Sequence, residues 1–238
     1  MEKLINRGII IFLVALLSPQ IVQAQGTPYV SSLGYSSTGS NPVGSDSWLA
    51  SGFKTGTNAG GYALDSVQLG MMDASGNPSG FSVMIYSSEQ HQPYSPDYFP
   101  RSSLGSLSGS ASPATAGTYT YAAPSSLALS PSTVYFIVLT AGTAQANGDY
   151  NWSNMNATQI PYYQSDGWRA PMTVQGIDDF YSIDGSPWSG SSWGSWFYSA
   201  NFHQFAINAT AVPEPSAPGL LSLGGLILGW RWRKSACA

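Results

Sequence analysis

The sequence predicts an all-β fold, an antiparallel β-sandwich with jelly-roll-like connections. Short runs with two-residue alternation or dense β-branched and aromatic content recur through the middle of the chain. Clusters of Gly, Pro, Asn and Ser separate them. No window offers a capped amphipathic helix of about twelve residues, and with only 8% charged residues a long surface helix laced with Glu–Lys pairs is excluded.

Residues 1–24 read as a secretory signal, with Lys3 and Arg7 in a basic start, the apolar run Ile9 to Leu17, and the small-residue pattern Val22-Gln23-Ala24. That run is far shorter than the ~20 apolar residues a permanent membrane span requires. The folded domain is then expected over 25–211. Along it, Val67 and Leu69 flank Gln68, Phe81, Val83 and Ile85 alternate with Ser82, Met84 and Tyr86, and Tyr119 and Tyr121 flank Thr120. Val134 to Leu139 is continuously apolar, the mark of a central strand buried on both faces. His203, Phe205 and Ile207 alternate with Phe202, Gln204 and Ala206, giving a last strand. Asn58-Ala59-Gly60-Gly61, Gly76-Asn77-Pro78-Ser79-Gly80 and Ser130-Pro131-Ser132 supply turns. About ten short strands in all are expected.

The domain is acidic and free of disulfides. Its only bases are Lys54, Arg101 and Arg169, against Asp46, Asp65, Asp73, Glu89, Asp97, Asp149, Asp166, Asp178, Asp179 and Asp184. Three scattered cations cannot line a phosphate backbone, so nucleic acid is not an expected partner. The single cysteine, Cys237, lies beyond the domain. Stability must therefore come from burial, for which 43% hydrophobic and 13% aromatic residues are ample.

Residues 212–238 have three parts in order: Val212-Pro213-Glu214-Pro215, an apolar stretch from Ala217 to Trp230, and the basic end Arg231-Trp232-Arg233-Lys234. A short apolar helix stopped by cations halts translocation with the cations inside and the domain outside. Leu220 to Trp230 reaches only ~17 Å as a helix against ~30 Å of hydrocarbon, which suits a transient signal better than a lasting anchor. This arrangement resembles the PEP-CTERM signal of Gram-negative bacteria. The resemblance assigns Pro213, Glu214 and Pro215 to the sorting motif and Arg231, Arg233 and Lys234 to the stop-transfer cluster. It implies processing by an exosortase, transient contact with the inner membrane, and a final place at the cell surface or outside the cell.

A second resemblance rests on Trp48-Leu49-Ala50-Ser51-Gly52-Phe53-Lys54-Thr55-Gly56, Gly61-Tyr62-Ala63-Leu64-Asp65-Ser66-Val67, Phe81-Ser82-Val83-Met84-Ile85-Tyr86 and Leu127-Ala128-Leu129-Ser130-Pro131-Ser132-Thr133-Val134-Tyr135-Phe136. These are similar to the choice-of-anchor R domain of exported bacterial proteins, over about residues 30–155. The resemblance implies a β-rich surface domain and brings no catalytic residues. In a bacterial host the sequons at Asn151, Asn156 and Asn208 are expected to stay unmodified.

Chemistry is sparse. The only histidines are His91, in a Pro-rich loop, and His203, in the last strand. Neither accompanies a Gly-x-Ser-x-Gly elbow, since Gly105-Ser106-Leu107-Ser108-Gly109 has its glycines at the wrong offsets. Asp178, Asp179 and Asp184 are close enough in sequence to offer oxygen ligands to Ca²⁺, or are simply solvated loop acids, and no other cofactor is expected. Trp188, Trp193 and Trp196 sit among Ser and Gly, where flat rings either stack on a neutral sugar or pack against the sandwich edge. The expected function is that of a non-enzymatic, exported surface or matrix protein associated with exopolysaccharide and biofilm. The alternatives are a carbohydrate-binding module using the Trp-rich loop and an extracellular hydrolase.

Overall fold

The computed structural model describes residues 26–90, 98–125, 127–155, 163–170, 179–182, 196–199 and 202–214. The signal segment, His91, Trp188, Trp193, Asp178, Asp184, Pro215 and the basic tail lie outside these residues.

Among the described residues fifteen strands follow in chain order: β1 (Thr27–Ser31), β2 (Gly39–Val43), β3 (Trp48–Lys54), β4 (Tyr62–Gly76), β5 (Ser82–Gln90), β6 (Tyr98–Ser106), β7 (Gly117–Ala122), β8 (Ala128–Leu129), β9 (Val134–Thr140), β10 (Gly148–Met155), β11 (Tyr163–Gln164), β12 (Asp179–Ser182), β13 (Trp196–Ser199), β14 (Phe202–His203) and β15 (Phe205–Ala211). They form two antiparallel sheets. The first runs β11-β1-β15-β4-β10-β14, with β2 on β10 and with β7 and β8 on β4. The second runs β13-β12-β3-β9-β5-β6. Among the described residues the only helical turn is the 3-10 segment Gln145–Asn147.

The expected central strand is present. β9 pairs with β3 on one side and β5 on the other, and Val134 to Leu139 are all buried. Tyr135, Ile137 and Leu139 join the large core between the sheets, with Leu49, Phe53, Val67, Leu69 and Trp152. Val134, Phe136 and Val138 point the other way and cluster with Ala50, Tyr86 and Phe99. Period-two geometry thus divides one apolar run between two cores.

Two expectations need correction. The strands are not uniformly short: β4 has fifteen residues, because its first half pairs with β15 and its second with β10. It keeps its apolar face inward through a bulge, since Asn208 faces Ser66 and Ala209 faces Leu64, leaving Asp65 as the extra residue. Tyr62 and Leu64 before the bulge, and Val67, Leu69 and Met71 after it, therefore all reach the core. The last strand, in turn, is not one unbroken alternation. It divides at Gln204, so that Phe202 of β14 reaches the same core as Phe205 and Ile207 of β15.

A tight turn at Ser165–Trp168 places another core residue. Asp166 and Gly167 have φ of +51° and +79°, and Trp168 N–H donates to Ser165 O at 2.9 Å. This is the primed turn that an Asp-Gly pair favours, with Gly taking the left-handed backbone at no steric cost. The turn delivers Trp168, 1% exposed, between the rings of Tyr29 at 4.9 Å and Phe53 at 6.0 Å, both stacked on it. Tyr62 meets its edge at 4.8 Å.

Phe136→Asp is expected to unfold the domain, because it places an unpaired charge where no water reaches. Leu104→Asp, on a side chain 46% exposed, should change stability by no more than ~0.5 kcal/mol. Urea melts of the two variants compare them, and a fold indifferent to Phe136→Asp would contradict the burial of β9 on both faces.

Candidate functional site

Most of the buried polar residues described lie where β4, β10, β14 and β15 converge, Ser51 and Thr55 being the exceptions. Gly70 N–H donates to Gln204 O at 3.0 Å, and Gln204 N–H donates to Ser153 O at 2.8 Å. The Trp152 indole Nε1 donates to the same Gln204 O at 3.0 Å. The Gln204 side chain is used at both ends: Nε2 donates to Tyr35 O at 2.7 Å, and Oε1 lies 2.6 Å from the Ser153 hydroxyl. Next to it, Phe205 N–H donates to Ser32 Oγ at 2.9 Å, and Ser32 N–H donates to Phe205 O at 2.9 Å. Gln204 is 6% exposed, Ser153 2% and Ser32 0%.

His203 belongs to this seam. It is fully buried and lies flat on the Trp152 indole, ring centroids 4.1 Å apart and planes within 14°. A dissolved substrate does not reach it. The geometry is that of a packing aromatic rather than a proton shuttle exposed in a cleft.

The other candidates distribute as follows. Asp179 and Trp196 lie in β12 and β13 at the edge of the second sheet, with Asp179 opposite Ser51 of β3 and Trp196 opposite Ser182. Among the described residues no three of His, Cys, Asp and Glu come together as a metal-ion site would require. Two of the domain's three basic residues, Lys54 and Arg169, sit opposite each other and exchange backbone hydrogen bonds at 2.9 Å. The third, Arg101, pairs with Glu89 on the surface, where such a pair contributes little. Of the sequon asparagines, Asn208 is 3% exposed and its Nδ2 donates to Ser66 Oγ at 3.1 Å. Asn151 Nδ2 donates to Asp73 O and to Asp149 Oδ1.

Among the described residues, burial is the largest cause of each shifted ionisation. The Tyr121 hydroxyl is pushed up chiefly by burial. Burial also raises Tyr29, with the Asp166 carboxylate adding to it. The Asp149 carboxyl is held above its ordinary range by burial, with the hydrogen bond from Asn151 opposing. Beside Tyr29, Trp168 Nε1 and Ser165 Oγ are buried with no hydrogen-bond partner among the described residues.

The Pro213-Glu214 segment follows the last described strand. β15 finishes at Ala211, and Val212, Pro213 and Glu214 continue along the surface, all exposed. They run over the Asn58–Gly61 turn, closed by Gly61 N–H donating to Asn58 O at 2.9 Å. Val212 N–H donates to Gly61 O at 3.0 Å, and Asn58 Nδ2 donates to Val212 O at 2.9 Å. Ala59 N–H donates to Glu214 Oε1 at 3.1 Å. Sequence reasoning identified both segments, a turn and a motif, but had no signal that they meet across 154 positions.

No family model, no curated protein and no solved structure matches this chain.

Gln204→Leu is expected to cost about 1–3 kcal/mol, because it removes the amide that the Tyr35 carbonyl accepts from and leaves the Ser153 hydroxyl only its Ser37 partner. Gln68→Ala, on a half-exposed position of the same sheet, should cost no more than ~0.5 kcal/mol. Equal losses in chemical melts would mean that the seam is not special.

Proposed function

We propose that this chain is an exported, non-enzymatic surface or extracellular-matrix protein. Its β-sandwich is the mature part, and its C-terminal tail is a sorting signal processed by an exosortase-type enzyme. The observation that carries the reading is where the described sandwich ends. Its last described strand finishes at Ala211, and the Pro-Glu-Pro motif starts two residues later, with Pro213 and Glu214 exposed. Cutting at or beyond the motif would remove no strand of the described sandwich.

The fold supports a scaffold role. On one sheet the order β1-β15-β4-β7, and on the other β3-β9-β5-β6, interleave the chain between layers as a jelly roll does. This closes a broad core without disulfides. The acidic surface, poor in Lys and Arg, suits a protein that stays soluble among polysaccharides and does not adsorb to nucleic acid or anionic lipid. The burial of His203 speaks against a hydrolase built on that residue. Association with exopolysaccharide rests on the resemblance of the tail.

Intact-mass measurement of the protein released from the surface of its native host tests the reading. The expected species lacks the signal segment and the apolar, basic tail. A mature fraction still ending at Ala238, or an unchanged mass after deletion of the host's sorting enzyme, would contradict it.

A further inference from the structure

We propose that the Asn58–Gly61 turn is a latch that holds Val212–Glu214 against the folded domain, so that processing enzymes cut the tail only beyond Glu214. The inference rests on the reading of the tail as a processing signal and adds where the cut falls and what sets it. A protease needs several residues on both sides of the scissile bond to leave their own hydrogen bonds and lie extended in its cleft. Here Val212 is held at both its N–H and its carbonyl, by Gly61 O and Asn58 Nδ2. Glu214 is held through its carboxylate by Ala59 N–H. Asn58 is itself fixed, since its Nδ2 also donates to Gly61 O at 2.6 Å and its N–H donates to the Tyr62 hydroxyl at 3.2 Å.

Gly60 shows how closely the two segments fit. A Cβ there would lie 2.3 Å from Val212 O and 3.2 Å from Pro213 O. Both are backbone atoms that cannot swing aside, so any side chain at 60 lifts the motif off the turn. The glycine is needed for this approach, and the contact is with the motif rather than with the core. The latch therefore couples folding to maturation: unfolding frees the bonds from Ala211 to Glu214, whereas the folded domain holds them.

The test uses the purified full chain in detergent with a prolyl-specific endoprotease as probe, read by intact mass. The wild type should be cut after Pro218, whose preceding residues lie past the latch, and resist cutting after Pro213. Gly60→Ala should be cut after Pro213 about tenfold faster, the factor expected when roughly one hydrogen bond's net stabilisation is lost. Glu214→Ala lies past the last strand and leaves the sandwich folded. It should loosen the site in the same direction, while Glu214→Gln, which keeps an accepting oxygen, should stay protected. Equal rates after Pro213 in wild type, Gly60→Ala and Glu214→Ala would overturn the latch, as would a mature host protein ending at or before Pro213. A host protein that keeps its whole tail would instead count against the sorting reading, with the protease comparison still deciding the latch.

Discussion

Where β4, β10 and the last strand meet, three backbones need hydrogen-bond partners at one place, and Gln204 supplies them. Its carbonyl takes the N–H of Gly70 and the indole N–H of Trp152, and its own N–H goes to Ser153. β4 can therefore exchange β15 for β10 along its length without leaving a buried polar group unpaired, which would cost ~1–3 kcal/mol for each group. The consequence reaches the rest of the first sheet. β15 continues from the seam to pair with both β1 and β4, and Trp152 and His203 are clamped together beneath it. The residue that appears polar in an apolar strand is the one that lets two strands share a third.

How much of this was legible depends on whether the information was local. β9 was readable because a strand buried on both faces must be apolar at every position, and Val134 to Leu139 is. The turns at Asn58–Gly61 and Ser130–Ser132 were readable from their residues. The division at Gln204 was not, since Phe202 to Ile207 alternates as an ordinary strand would, and the break is imposed by β10 and β4 from far along the chain. The length of β4 was hidden likewise by the bulge at Asp65, which resets the alternation. Asp166-Gly167 did carry a local turn signal, and with it the position of Trp168 could have been anticipated. For the candidate site, the motif Pro213-Glu214 was legible and its partner Asn58 was not, because a hydrogen bond between segments this remote leaves no trace in spacing.

The same physics links fold to proposed role. With no cysteine before Cys237 and few charges, the domain rests on apolar burial and on backbone pairing between antiparallel strands, both indifferent to redox conditions. Aromatic residues give much of the core: Trp152, Trp168, Tyr62, Tyr121, Tyr150, Phe53, Phe136 and Phe205 are its largest fully buried side chains. A fold of this kind tolerates a polar, Ser- and Thr-rich surface. Its last described strand, β15, lies between β1 and β4, and Val212–Glu214 beyond it are exposed.

Native-state amide hydrogen exchange tests the central claim most directly, that the Gln204 seam holds the first sheet together. The amides of Gly70 and Gln204 should exchange only through global unfolding, with the same free energy as the β9 amides and the same sensitivity to denaturant. The amide of Val212, held only at the surface, should exchange through a local opening of much lower free energy. Exchange of Gly70 and Gln204 by local fluctuation, at a rate like that of Val212, would contradict the account.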